Sequence, residues 1–204
     1  MAMMPPRPLR TASEEIPSLV LRAALALMTE EGPEGLTVRA LARRAGVAPM
    51  SIYNHFGGKD GVLDAIMVDG FALLATWADV TFDDARTTLV AGSMAYRDFA
   101  LAHRSHYTVM FLHQFVGYVP AAETMYVAAK GFEILTGQVR RCTDVGVFPG
   151  RSYVDVAQQL WAAVHGYVAL EILGINFASD RDRVFRDFVE AVITGLDAPL
   201  DDAT

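Results

Sequence analysis

LTVRALARRAGVAPMSIYNHFGGK, residues Leu36 to Lys59, is the stretch on which the reading of this chain turns. Thr37 has the short hydroxyl that accepts from the free N–H groups of a helix start, and Gly46 suits the left-handed backbone of a helix end. A helix is therefore expected over Val38–Ala45. Proline fits a first helical turn, so a following helix should run from Pro49 to about His55, where Gly57-Gly58 breaks it. Two short helices joined by a tight glycine turn make the helix-turn-helix pattern. The stretch holds four basic residues, Arg39, Arg43, Arg44 and Lys59, and no acidic one, in a chain of formal net charge -7. A basic unit kept free of acids in an acidic protein points to an anionic partner, with double-stranded DNA the first candidate.

In this motif the second helix enters the major groove, so its first turn has to meet base edges. Asn54 can bond adenine through two atoms, Ser51 can donate or accept, and Pro49 and Met50 can touch a thymine methyl. Tyr53, His55 and Lys59 offer donors for flanking phosphates. Phe56 reads as core, packed on the preceding helix, and Arg43 and Arg44 as a solvated helix face.

Outside this stretch the apolar residues recur at spacings of three and four, with no alternation of period two, so the fold class is all-α. A first helix is expected from about Pro17 or Ser18 to Glu31, with Val20, Ala23, Ala24, Leu27 and Met28 inward. A fourth should follow the double glycine to about Trp77, with Leu63, Ile66, Met67, Leu73 and Leu74 inward. Five more fall at 84–103, 105–116, 121–144, 151–175 and 181–197, about nine helices in all. The Pro-rich, basic residues 1–13 read as a disordered arm; Arg7 and Arg10 there are the residues a minor-groove contact would use.

Charge divides the chain in two. Residues 1–68 hold seven Lys or Arg and seven Asp or Glu, whereas the rest hold ten and seventeen and account for all of the -7. Two of the twenty aromatics, Tyr53 and Phe56, fall in the first part. A helix-turn-helix head over 1–58 and a larger acidic, aromatic-rich body over 59–204 are expected. The single cysteine, Cys142, rules out an internal disulfide and fits a reducing cytoplasm, and no run of eighteen apolar residues marks a membrane span.

The segment EGLTVRALARRAGVAPMSIYNHFGGKDGVL, Glu34 to Leu63, resembles the DNA-binding segment of TetR/AcrR-type transcriptional regulators. The resemblance rests on Thr37, the turn Ala45-Gly46-Val47, the close Tyr53-x-His55-Phe56, and the Lys59-Asp60-x-x-Leu63 opening of the fourth helix. It implies that Thr37, Tyr53 and Lys59 contact phosphates, and that Arg39 reaches a base or its backbone. It further implies that Pro49, Met50 and Ser51 read bases, with Asn54 and His55 near the groove wall. Ala48 and Gly58 depart from the pattern, where the family commonly carries Ser or Thr and Ser respectively.

The same resemblance makes the body an effector-binding and dimerisation domain. Trp161-Ala-Ala-Val-His165-Gly166 is similar to the Trp…His-Gly signature of one subgroup of such domains. Trp161 and His165 share a helix face, and Phe99, His103, Tyr107, Met110, Phe111, Gln114 and Phe115 cluster in a neighbouring region. Apolar bodies with a few polar tips suit a small-molecule pocket, and equally an ordinary core. Ala162, Gly166 and Ala169 permit close helix approach, and Phe185, Phe188, Val189, Val192 and Leu196 recur at helical spacing. Doubled by a two-fold axis, these helices make a dimer interface. His103, His106 and His113 lack a cysteine or close carboxylate to complete a metal set, so neither metal nor cofactor is expected.

The function expected is a ligand-responsive regulator, a homodimer released from a palindromic DNA operator by a small apolar or aromatic effector. A DNA-binding structural protein without an effector is the alternative. An all-helical enzyme is the third reading, and it lacks a phosphate loop, a nucleophile elbow or paired carboxylates. Glu171, the one acid among apolar neighbours of its helix, reads as a hydrogen-bonded structural residue or a ligand partner.

Overall fold

The computed structural model describes residues 13–198, so Arg7 and Arg10 lie outside the described residues. Among these residues there are nine α-helices and no strand. They are α1 (Ile16–Glu30), α2 (Val38–Ala45), α3 (Pro49–Phe56), α4 (Lys59–Ala78), α5 (Ala85–Ala102), α6 (Arg104–Tyr107), α7 (Ala122–Asp144), α8 (Tyr153–Ile172) and α9 (Arg181–Asp197). The chain forms two compact units: residues up to Ile66 with His113–Pro120, and Met67–Leu112 with the residues from Ala121 on. The division falls inside α4, eight residues beyond the expected boundary at 58, because the first turns of α4 complete the core of the smaller unit.

In that unit α1 buries Ile16, Val20, Ala23, Ala24, Leu27 and Met28, the expected stripe extended by one turn. Leu36, Leu41 and Ile52, with Val62, Leu63 and Ile66 of α4, are fully covered. Phe56 is half-buried. The junction between α3 and α4 is built of glycines for two separate reasons. Gly58 has φ 131°, a backbone that side chains rarely tolerate. A Cβ at Gly61 would lie 1.7 Å from the Phe56 carbonyl oxygen, so α4 leaves the end of α3 with no room for any side chain there.

The second unit packs α5, α7, α8 and α9 against one another. Its core includes Leu89, Phe99, Tyr107, Val139, Phe148, Leu160, Val168, Phe185 and Val189. Within it lies a buried ion pair. The Arg97 Nε donates to one Glu171 oxygen at 2.7 Å and its Nη2 to the other at 2.9 Å, while Nη1 donates to Asp182 at 2.8 Å. Glu171 is thus the hydrogen-bonded structural acid, and one guanidinium ties α5 to α8 and to α9. The Glu171 bond above all holds Arg97 charged.

The expected helix over 105–116 takes another form. His103 departs from helical geometry, α6 is a single turn, Thr108–Leu112 is a π-helical turn, and the chain then leaves helix altogether. Phe115 and Tyr118 belong to the smaller unit, where the Tyr118 hydroxyl donates to Asp64 of α4 at 2.9 Å, so a continuous helix is not formed. By length and composition α4 is apolar enough to cross a membrane. It is a core helix instead: Val62, Leu63, Ile66, Met67, Phe71 and Leu74 are buried. Its Asp64 and Asp69 are hydrogen-bonded to Tyr118 and His106.

Two outcomes follow from this packing. Gly61→Ala should destabilise the protein by roughly 1–3 kcal/mol through overpacking against backbone. Gly137→Ala on α7, where a Cβ meets nothing within 4 Å, should stabilise by about 0.5–1 kcal/mol; urea unfolding of the two variants checks the contrast. Arg97→Met should cost about 3–5 kcal/mol by leaving Glu171 buried and unpaired, and adding Glu171→Met should recover a large part of it.

Candidate nucleic-acid interface and ligand site

The outer surface of the smaller unit is assembled by caps and turns. The Thr37 hydroxyl accepts from the Ala40 N–H at 3.2 Å and starts α2, and Gly46, at φ 69°, ends it. Pro49 occupies the first turn of α3, which begins on Ala48 with no side-chain cap, so the departure noted in the sequence leaves this helix start open. One residue of α3, Ile52, is buried. Pro49, Met50, Tyr53, Asn54 and His55 are exposed and Ser51 is half-buried. Thr37 and Arg39 on α2 are exposed as well. A helix whose apolar Met50 and Tyr53 stay 64% and 51% exposed is presenting those side chains outward.

The basic residues are not equivalent. Arg44 pairs through two hydrogen bonds with Glu30 of α1, one of them 2.6 Å, and its bond and charge hold the Glu30 carboxyl below its usual value. Its charge is therefore partly offset by a carboxylate on its own unit. Arg43 and Arg39 are exposed. Lys59 is half-buried, with its ammonium 5.2 Å from the centre of the Phe115 ring. The Tyr53 ring lies beside Gly58, where a Cβ would meet it in ordinary contact at 3.6 Å, so it is the φ of 131° and not the space that calls for glycine there.

The second unit holds a polar cluster within its aromatic core. Tyr107 of α6 has its hydroxyl 2.7 Å from His165 Nδ1 on α8, and Tyr96 of α5 has its own 3.1 Å from the same nitrogen. The two hydroxyls are 3.1 Å apart, and the Trp161 Nε1 donates to Tyr96 at 3.3 Å. Phe111 stands 5.3 Å from the His165 ring and 6.0 Å from Trp161, and Phe132 of α7 is 6.0 Å from Trp161. Burial raises the Tyr96 hydroxyl to about 12, pushes Tyr107 up further, and lowers His165.

Of the residues expected at a ligand site, Tyr107, Phe111, Trp161 and His165 are brought together here. Phe99 is fully buried and stacks on His103, whose ring also lies 5.9 Å from Trp77. Met110 is buried against Gly70, where a Cβ would meet its sulfur at 2.5 Å. Gln114 is exposed and falls in the smaller unit, as do Phe115 and His113. Tyr96 and Phe132 were missed by the sequence reading. The signal for Tyr96 was present, since a tyrosine three residues before Phe99 on an inward helix face needs a polar partner for its hydroxyl. The His106 Nε2–H donates to the Asp69 carboxylate at 2.9 Å, and among the described residues no group of three or more His, Cys, Asp or Glu stands placed to hold a metal.

On α8, Ala162 and Gly166 are exposed and Ala169 is half-buried. On α9 two stripes lie side by side: Phe185, Val189 and Ile193 are buried in the chain's own core, whereas Phe188, Val192 and Leu196 are half-buried. The sequence spacing had merged them. Phe185 and Val189 are turned inward and offer no surface to a second chain. The exposed residues Leu170, Leu173 and Phe177 continue the outward apolar strip beyond Gly166.

Comparison with known proteins gives concordant results. Residues 20–66 match the profile of bacterial regulatory proteins of the tetR family, and residues 89–192 that of the tetracyclin repressor-like C-terminal domain. An uncharacterized HTH-type transcriptional regulator of Mycobacterium tuberculosis is 27% identical over 197 residues, covering 94% of this chain and 84% of its own. The class A tetracycline repressor from transposon 1721 of Escherichia coli is 38% identical over 92 residues, 43% of this chain and 41% of its own. A solved structure of a Rhodococcus protein of unknown function superposes with TM-score 0.79 at 24% identity, covering 95% of this chain and all of its own. The TetR family transcriptional regulator PfmR of Thermus thermophilus does so with 0.70 at 20%, covering 88% and 99%.

The buried imidazoles make stability depend on pH. Burial is the largest cause lowering both His165 and His106 from 6.5; the Asp69 bond opposes it at His106 and the nearby His103 adds to it. A depressed histidine adds stability in full above its unfolded value, and loses it as pH falls through the folded one. The melting temperature should therefore fall as pH drops below about 6.5, before most carboxylates titrate. A combined His106→Asn, His165→Phe variant should show a flatter profile in thermal melts between about pH 7 and 5.

Proposed function

The chain belongs to the TetR family of transcriptional regulators, and from that premise we propose that it is a ligand-responsive repressor. In this reading it acts in the cytoplasm as a homodimer on a palindromic operator. The observation that carries the DNA half is the outward face of α3, which leaves Pro49, Met50, Tyr53, Asn54 and His55 uncovered in an acid-free helix-turn-helix. Pro49, Met50 and Ser51 read base edges, with Asn54 and His55 near the groove wall. Thr37, Tyr53 and Lys59 hold phosphates, and Arg39 reaches a base or its backbone. Ala48 gives no side-chain cap, Pro49 has no N–H and the Ser51 N–H bonds the Ala48 carbonyl at 2.9 Å, so the Met50 N–H is the first-turn donor that can meet a phosphate.

The dimer forms through the outward strip of α8 and α9, with Ala162, Gly166 and Ala169 allowing close approach and Phe188, Val192 and Leu196 filling the seam. Two half-sites one helical turn apart require two heads, which is the physical reason for a dimer. The effector enters the polar aromatic cluster around Tyr107, Phe111, Trp161 and His165, the Trp–His–Gly site of this domain. Coupling runs along the chain itself: α4 starts in the DNA-binding unit and ends in the other. The stretch bearing Tyr107 and Phe111 continues directly into Phe115 and Tyr118 of the first. Release from DNA requires that the effector bind the DNA-incompetent state better, since equal affinity for both shifts nothing.

Selection of bound sequences from random DNA tests this reading, and it should yield a palindrome; binding with no sequence preference would favour a structural DNA-binding protein. On the selected site, Tyr53→Phe with Lys59→Ala should weaken binding to all sequences and flatten the salt dependence. Met50→Ala should relax preference at one position, read by repeating the selection.

A further inference from the structure

The hydroxyl–imidazole cluster has a direction. Trp161 Nε1 is a donor only, and it gives its proton to the Tyr96 oxygen at 3.3 Å. The Tyr96 proton must then go onward, to the Tyr107 oxygen at 3.1 Å or to His165 Nδ1 at the same distance. The Tyr107 hydroxyl, 2.7 Å from Nδ1, donates there. In this order Trp161 and both tyrosines each find an acceptor. In the opposite order, with a proton on Nδ1, one of the two tyrosine hydroxyls is left without an acceptor among these groups, Tyr107 when Tyr96 donates to it. Burial costs of that kind are avoided in folded proteins. The network therefore assigns a bare Nδ1 and a proton on Nε2.

No described residue accepts from that Nε2. The rings around it are also incompletely covered: Phe111, Phe132, Trp161 and His165 are each half-buried although their centres lie within 6.0 Å of at least one other. Elsewhere in the same unit Phe99 and Phe185 are wholly covered. Arg97, the cation beside Tyr96 in sequence, is already bound by Glu171 and Asp182 and is not available to an anionic guest.

We infer that His165 presents its Nε2–H as the hydrogen-bond donor of the effector site, and that the effector is an uncharged aromatic compound bearing a carbonyl-type acceptor. Tyr107, Tyr96 and Trp161 act as positioning residues that hold the donor tautomer. This rests on the effector reading proposed above. An imidazole held neutral, donating one proton from an aromatic wall, discriminates by leaving its own donor unpaired when the acceptor is missing.

Three probes of one shape test the inference on the full-length chain carrying Trp77→Phe, so that Trp161 is its sole tryptophan reporter: 9-fluorenone, fluorene and fluorene-9-carboxylate. Quenching of Trp161 should show fluorenone bound about ten-fold tighter than fluorene, and the carboxylate weakest of the three. His165→Phe should remove the fluorenone preference and His165→Gln, which restores a donor, should recover part of it. Tyr107→Phe should reduce it while ¹⁵N spectra of the imidazole show the proton no longer confined to Nε2. Equal affinity for fluorenone and fluorene, preference for the carboxylate, no quenching by any probe, or a wild-type proton on Nδ1 would each overturn the assignment. DNA release is measured separately on the selected operator. Fluorenone preference without any change in DNA affinity would support the His165 donor and count against the effector reading. Release of DNA by fluorenone and fluorene alike would do the reverse.

Discussion

The larger unit depends on one guanidinium. Arg97 reaches Glu171 through two nitrogens and Asp182 through a third, with the Arg97 and Glu171 side chains 4% and 2% exposed. An ion pair so deeply buried contributes little net stability over an apolar substitute, because removing both charges from water offsets most of their attraction. Its effect is on register. Apolar side chains tolerate sliding of one helix on another, whereas a bidentate fork has one orientation. Tyr96 is the next residue on α5, and His165 lies six residues, less than two turns, before Glu171 on α8. The pair that fixes α5 against α8 therefore also sets the spacing of Tyr96 and His165 to a hydrogen bond. A slip of one residue in either helix would lose both.

The smaller unit is governed by the opposite means, the absence of side chains. Gly58 takes a backbone that other residues avoid, and Gly61 lies against the Phe56 carbonyl. Together they set how α4 leaves α3, so the path from one helix to the next is decided by residues without side chains. A serine at Gly58 would not readily take this φ, so the departure from the family pattern fixes the turn.

Much of this was legible in the sequence, and for identifiable reasons. Thr37, Gly46 and Pro49 act locally, so α2 could be placed to the residue and α3 to within one at its end, and the Val20–Met28 stripe follows from helical spacing alone. The interruption of the expected 105–116 helix could not be foreseen, because where the chain leaves helix is set by where Phe115 and Tyr118 pack, which no local pattern encodes. On α9 the spacing of three and four fits two adjacent stripes equally well, and only packing against α5 and α8 separates Phe185 and Val189 from Phe188 and Val192. Trp161 and His165 were visible as a pair four residues apart. Their meaning depended on Tyr96 and Tyr107, which arrive from α5 and α6, and a hydrogen-bond direction cannot be read before its members are brought together.

The proposed effector response needs an element whose energy differs between two states, and the polar cluster is the candidate for it. A core of Leu and Phe resists a ligand because any new atom must displace well-packed ones. Rings that touch at their edges yet stay half-buried retain surface that a bound aromatic guest would cover. The hydroxyl chain supplies the complementary constraint. Tyr107 is held to His165 at 2.7 Å and sits one residue before the π-helical turn, a geometry whose hydrogen bonds are weaker than those of an α-helix. A guest that engages His165 acts at the base of the segment that is least costly to rearrange, and the same segment leads on to the residues packed on α4.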